Sequence, residues 1–182
     1  EQKYQNINYT ESSNIFVVKR NSKYGIFNMD GKEILSVKYI AYALAGDYIY
    51  VETESGEKEL YDVNGNKVSN LNYKSVQSSG KSDCYIAIDD NGYYSIITKS
   101  ETISNNYTYI SYAFDNYFIF KNEDGLYGLL DIYNGIKFEA EYSFMLKIDG
   151  RNSIEAVKPD GTVDIYSKDL EKIAILKEAI IK

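Results

Sequence analysis

The chain has no tryptophan and no histidine, and in 182 residues it holds one cysteine, Cys84, and one proline, Pro159. Without an imidazole, Ser-His and Cys-His pairs have no base, and the commonest metal ligand is missing. A lone cysteine excludes an intramolecular disulfide and a cysteine-based zinc site, and reads as a small apolar residue beside a strand. The longest near-apolar stretch, Tyr39 to Ala45, is far too short for a membrane-spanning helix. Basic side chains number 20 against 27 acidic ones, so the net charge of −7 repels a phosphate backbone or an anionic bilayer on average. Nucleic acid is therefore not an expected partner. No glycine-rich phosphate loop joins a strand to a helix, and no cofactor is expected. The acidic segments Asp62 to Asn66 and Glu123 to Gly125 lack the spaced ligands and closing Glu of a calcium loop and read as turns. No catalytic, cofactor-binding or metal-binding residue is assigned.

Tyrosine is abundant, with 20 copies beside 7 phenylalanines. Together with Ile, Val and Thr these residues suit a pleated, half-buried surface, whereas the best helix formers are scarce. The expectation is all-β.

The chain repeats. Tyr39, Tyr73, Tyr109 and Tyr142 recur at spacings of 34, 36 and 33, with Tyr4 extending the series backwards. A turn ending at Ser22, Gly56, Gly92, Gly125 and Gly161 gives a second, parallel series. Seven and five residues before that turn stand Ile15 and Val17, Ile49 and Val51, Tyr85 and Ala87, Phe118 and Phe120, and Ile154 and Ala156. All are apolar, as in a strand with one face committed to a core. Four residues after the turn stand Ile26, Leu60, Ile96, Leu129 and Ile165, followed two residues later by Asn28, Asp62, Thr98, Asp131 and Ser167. The aliphatic set reads as core in a second strand, and the polar set as side chains that bond nearby backbone and open a turn. Asp-Gly and Asn-Gly pairs such as Asp30-Gly31 and Asn64-Gly65 predict two-residue hairpins.

The reading is one repeat domain, 1–182, in five copies at approximately 4–38, 39–72, 73–108, 109–141 and 142–182. Each copy is an antiparallel meander of three or four strands that must stack on its neighbours to bury its faces. A small five-bladed β-propeller-like ring ranks first, because closure hides sheet edges; an open β-superhelix with a C-terminal cap is the alternative. In the ring, the segment at Tyr4 supplies the last copy's missing strand; in the superhelix, residues 170–182 form a capping helix, although their isoleucines also suit a strand.

The segment from Ser22 to Ile34, with Ser-Lys-Tyr-Gly-Ile-Phe-Asn-Met-Asp-Gly-Lys-Glu-Ile, and the run from Gly125 to Asp131 resemble the bacterial WG (or KWG) repeat, with Tyr24 and Tyr127 in place of the name-giving Trp. The other copies depart from the aromatic-glycine pair, having Lys58-Glu59, Tyr94-Ser95 and Val163-Asp164. The resemblance implies a repeat scaffold, often in exported or surface-associated bacterial proteins, and it transfers no catalytic residue. With a first residue of Glu1, the chain reads as processed or trimmed, and the expected location is the cell surface or exterior, any membrane anchor lying outside it; the cytoplasm is the alternative.

The expected function is a non-catalytic binding or interaction module for a protein or a glycan. A carboxylate-based glycoside hydrolase is the alternative from another class, since two facing acids suffice for that reaction, and a structural spacer is the third. The in-frame tyrosines read as packing residues. Those outside the frame, Tyr107, Tyr112, Tyr117 and Tyr133, are the ligand-binding candidates.

Overall fold

The computed structural model describes residues 3–11, 13–69, 73–82, 84–98 and 101–176. They form twenty strands in five four-stranded antiparallel sheets. The first sheet holds β1 (Asn6–Thr10), β2 (Ile15–Arg20), β3 (Lys23–Asn28) and β4 (Glu33–Tyr39). The second holds β5 (Ala41–Ala45), β6 (Tyr48–Glu52), β7 (Lys58–Asp62) and β8 (Lys67–Ser69). The third holds β9 (Tyr73–Ser78), β10 (Tyr85–Asp89), β11 (Tyr94–Ile97) and β12 (Thr102–Tyr107). The fourth holds β13 (Tyr109–Phe114), β14 (Tyr117–Lys121), β15 (Tyr127–Asp131) and β16 (Gly135–Tyr142), and the fifth β17 (Phe144–Ile148), β18 (Ser153–Val157), β19 (Val163–Tyr166) and β20 (Lys172–Leu176). Strand order follows chain order throughout, so each sheet is a simple meander. The molecule is all-β, as its composition implies.

Two expectations about the chain's extremities are corrected. The N-terminal segment does not complete the fifth sheet, because β1 pairs with β2 in the first. Residues 172–176 are strand, not capping helix: β20 pairs with β19, and its Ile-rich composition prevails over the helical spacing of its apolar residues. The helix expected beyond Leu176 lies outside the described residues.

The strand-turn-strand pattern holds in every copy except at the aliphatic position of the fifth, where Ile165 is half-buried while Ile26, Leu60, Ile96 and Leu129 are buried. All ten residues of the period-two set, from Ile15 and Val17 to Ile154 and Ala156, are buried. The polar residue after each aliphatic position opens a turn through its side chain. Asn28 Oδ1 accepts from the N–H groups of Asp30 and Lys32, Asp62 Oδ1 from those of Asn64 and Asn66, and Asp131 Oδ1 from those of Tyr133 and Asn134. Thr98 Oγ1 accepts from the N–H of Glu101, and Ser167 Oγ from those of Asp169 and Glu171.

The Asp-Gly and Asn-Gly turns are wider than the expected two-residue hairpins. Gly65 N–H donates to the carbonyl of Asp62, and Asp62 N–H to that of Asn66, so the glycine closes a loop led by an aspartate. Gly65 sits at φ +89, where only a residue without Cβ is unstrained. The polar side chain three residues earlier, which bonds the loop's N–H groups, selects this longer loop.

The first copy differs in register. Val17 pairs with Ile26, whereas Tyr50 pairs with Leu60, Ile119 with Leu129 and Glu155 with Ile165. The turn between β2 and β3 is only Asn21-Ser22, both at positive φ, and the shorter turn shifts the pairing by one residue. Ile15 and Val17 therefore share a face with Ile26, and Phe16 and Val18 take the face that Ile49 and Val51 occupy in the second sheet.

The chain divides into two compact units, Glu1–Ser78 with Ala87–Asn91, and Ser79–Ile86 with Gly92–Lys182. In the first, Ile26, Leu35 and Tyr39 pack against Ile49 and Val51. In the second, one cluster packs Ile86 and Ile96 against Phe118 and Phe120, and another packs Ile119 and Leu129 against Ile154 and Ala156. Facing sheets thus interlock through alternating aliphatic and aromatic side chains.

Candidate functional site

The pairing register corrects the tyrosine series. Tyr24 pairs with Tyr39, Tyr94 with Tyr107 and Tyr127 with Tyr142. Tyr39, Tyr73, Tyr107 and Tyr142 are all buried, and their spacings of 34, 34 and 35 are more even than those of the series through Tyr109. Tyr107, expected to face a ligand, is 3% exposed with its ring 4.8 Å from that of Phe120. Tyr109, expected to be packing, is 40% exposed at the start of β13.

The other three candidates are dispersed. Tyr112 is half-buried against Phe118, with Lys147 Nζ 5.9 Å from its ring centroid. Tyr117 is half-buried edge-on to Phe114; burial, then the charges of Asp131, Asp115 and Asp169, raise its hydroxyl pKa. Tyr133 projects from the turn after β15, 63% exposed. Among the described residues no ring contact joins any two of the four candidates.

What the second unit does assemble is a tract of different aromatics. Tyr94, Tyr109, Tyr127 and Phe144 follow one another with centroid separations of 6.2, 6.2 and 5.9 Å and interplanar angles of 47°, 69° and 70°. Tyr94 and Tyr127 hold the position before Ser95 and Gly128, while Tyr109 and Phe144 each stand two residues after a buried tyrosine at the start of the next sheet. Lys121, paired with both Tyr109 and Tyr127 across β14, places Nζ 5.2 Å from the Tyr127 centroid. Tyr109 and Phe144 (44%) are exposed and the other members half-buried, so the tract is a contiguous aromatic surface with hydroxyls and one cation. The first unit has a smaller counterpart, Tyr24 and Tyr42 at 4.9 Å with Lys19 Nζ 5.2 Å over Tyr24.

The glycine of the aromatic-glycine pair has a packing reason. A Cβ on Gly128 would lie 2.5 Å from Phe120 Cζ and 2.6 Å from the Phe138 carbonyl oxygen, and one on Gly25 would lie 2.9 Å from the Val37 backbone nitrogen. In both copies the last strand bulges over the glycine.

Where the glycine is replaced by an acid, a polar cluster takes its place. Glu59, Tyr61 and Lys67 recur 105 residues later as Asp164, Tyr166 and Lys172. In the fifth sheet Lys172 Nζ lies 2.8 Å and Lys158 Nζ 3.6 Å from Asp164 Oδ2, and the Tyr166 hydroxyl lies 2.8 Å from that of Tyr142 in the preceding sheet. In the second sheet Lys67 Nζ is 3.1 Å from Glu59 Oε1, Tyr61 donates to Glu59 Oε2 at 3.0 Å, and Tyr39 of the preceding sheet donates to the Tyr61 hydroxyl at 3.4 Å. Burial foremost, then the partner tyrosine and the nearby carboxylate charges, push the Tyr39 and Tyr142 hydroxyls far above the ordinary tyrosine range. Burial raises the Glu59 carboxyl, but the bonds from Lys67 and Tyr61 outweigh it and leave the pKa lowered. The Tyr39 and Tyr142 hydroxyls therefore hold their protons more firmly than an ordinary tyrosine, and Glu59 stays ionised.

Cys84 is buried, and among the described residues no group of three or more His, Cys, Asp or Glu side chains is placed to hold a metal ion. Among the described residues no helix is long and apolar enough to cross a membrane.

Fold and tract together define a tandem β-meander repeat protein with an aromatic surface. No family model and no curated protein matches the chain. Among solved structures it is similar to the WD40 β-propeller domain of Doa1, at 13% identity and a TM-score of 0.33 over 96% of this chain and 68% of that one. It is also similar to the computationally designed Ika8 protein (14%, TM-score 0.36, 96% and 61%) and to BamB from Moraxella catarrhalis (14%, TM-score 0.35, 93% and 60%). The chain spans about three fifths of those last two structures. No residue role follows from similarity at this level.

Proposed function

We propose that the chain is a non-catalytic interaction module whose second unit binds a protein partner across Tyr94, Tyr109, Tyr127 and Phe144. The observation that carries this reading is the contiguous, partly exposed aromatic tract with Lys121 set on it. Surface aromatics are the residues most enriched among binding hot spots, because they contribute large area at low side-chain entropy cost. Successive rings tilt by 47° to 70°, so the tract presents ring edges as well as faces, which suits protein side chains better than the flat stacking of a sugar. The resemblance of the copies around Tyr24 and Tyr127 to the WG repeat supports placing the module in an exported bacterial protein.

Selection of displayed peptides against the chain, with a glycan panel in parallel, tests the reading. Selected peptides are expected to lose at least about 2 kcal/mol of binding, roughly 30-fold, on Tyr109→Ala, and little on Tyr133→Ala. Binding confined to glycans would replace the protein partner by a glycan, and turnover of a glycan would overturn the non-catalytic reading.

A further inference from the structure

The aromatic tract proposed as the binding surface, on which this inference rests, is bordered by two turns that set its charge. The turn of residues 122–126 joins Lys121, the last residue of β14, to Tyr127, the first of β15, and is closed by Asn122 N–H donating to the carbonyl of Leu126. It carries Glu123 and Asp124, both exposed. The Tyr93 hydroxyl donates to Glu123 Oε1 at 2.6 Å, so this carboxylate lies beside the residue that precedes Tyr94. The turn of residues 158–162 follows Val157, the cross-strand partner of Phe144, and carries the exposed Asp160. Two cations stand in the same segments, and each is half-buried and engaged: Lys121 Nζ over the Tyr127 ring, and Lys158 Nζ 3.6 Å from Asp164 Oδ2. The exposed charges of both turns are therefore acidic, in a chain whose net charge is already −7.

The rings supply the other half of a recognition surface for cations. Lys121 shows that an ammonium group lodges on this tract, as the negative face of a tyrosine ring favours. A guanidinium suits rings bordered by carboxylates better still, because its plane stacks on an aromatic face while its edge donates to an acid. Spacing fits an extended ligand. Successive ring centroids are 6.2, 6.2 and 5.9 Å apart, and side chains on one side of an extended chain recur every second residue, at about 6.6 Å.

We infer that the partner docks through an extended basic segment with arginines at alternating positions. Its guanidinium groups stack on successive rings of the tract and pair with Glu123, Asp124 and Asp160.

Fluorescence anisotropy tests this, using the full chain and a labelled, otherwise uncharged peptide with three arginines at alternating positions. The peptide is expected to bind, more weakly as salt rises, and its counterpart with glutamates at those positions is expected not to bind. Glu123→Lys combined with Asp124→Lys should weaken binding at least about tenfold. Asp149→Lys combined with Asp169→Lys makes the same change of net charge in turns at the opposite ends of the strands, and should weaken it less than about twofold. Should the first pair melt below the wild type, Glu123→Gln with Asp124→Asn repeats it with closer shapes. Equal losses for the two pairs would mean attraction to net charge alone and overturn the inference, as would an arginine peptide that does not bind or a glutamate peptide that binds as well. Tyr109→Ala separates this from the reading beneath it. Selected peptides that depend on Tyr109 but carry no basic residues would leave the tract standing and remove the arginine segment, whereas arginine-peptide binding indifferent to Tyr109→Ala would remove the tract itself.

Discussion

At the scale of the residue, the same position has two chemical solutions. Gly25 and Gly128 let the last strand fold over the sheet, and Glu59 and Asp164 instead anchor a lysine from that strand. The two acidic versions differ in burial, and burial decides what they are worth. The Asp164 side chain is 1% exposed and that of Glu59 18%. Replacing Lys172 by Met removes the nearer of two cations and leaves the buried Asp164 carboxylate with only Lys158 at 3.6 Å, a costly loss because water cannot take the missing partner's place. Replacing Lys67 by Met leaves Glu59 in partial contact with water and still bonded by Tyr61, a loss of about 1 kcal/mol or less. Denaturant midpoints should fall much further for Lys172→Met than for Lys67→Met, and Asp164→Leu combined with Lys172→Met should recover most of the loss. Equal shifts for the two lysines would show that the deeper burial of Asp164 adds nothing to the worth of its ion pair.

At the scale of the element, the turn after each third strand is built by one side chain. Burial raises the Asp131 carboxyl, but the Asn134 amide, the N–H groups of Tyr133 and Asn134, and then Lys137 outweigh it, so its pKa lies below the usual 3.8. A folded-state value below the unfolded one means that the carboxylate stabilises the fold above about pH 4 and that this stability is lost as pH falls through the folded value. Asp131→Ala should cost about 1–3 kcal/mol at neutral pH, with a gap to the wild type that narrows in acid. A gap that stayed constant with pH would mean the carboxylate's charge contributes nothing. This turn was legible in the sequence, because a small polar residue at one offset in all five copies has a local role that needs no knowledge of packing. The strand faces were legible for the same reason, since period two fixes them. The register of the first copy was not: the short turn at Asn21-Ser22 ends on the same marker position as the longer turns, so the one-residue shift shows only in strand pairing. Nor was the exchange of Tyr107 and Tyr109 recognised, although the even spacing through Tyr107 was there to be read. Two tyrosines two residues apart fit the same ruler, and which of them turns inward depends on the bulge between Tyr94 and Ser95.

At the scale of the whole molecule, stacked sheets make the cost of a substitution depend on how fully neighbouring sheets cover the side chain. Ile96 and Ile165 hold the same place in their copies and carry the same side chain, so composition and local propensity cancel in comparing them. Ile96 is fully buried in the cluster shared by the third and fourth sheets, while Ile165 is half-buried. An aspartate at position 96 places an unpaired carboxylate in a dry interface and removes apolar contact from two sheets at once, a loss above about 4 kcal/mol. At position 165 water reaches the new carboxylate, and the loss is limited to about 1–2 kcal/mol of apolar area. Ile96→Asp should therefore abolish the folded second unit or lower its denaturant midpoint severely, and Ile165→Asp should leave a cooperative transition close to the wild type. Comparable losses at the two positions would mean that the partial exposure of Ile165 brings no relief; a mild loss at Ile96 would mean that the repeated aliphatic position is not what joins one sheet to the next.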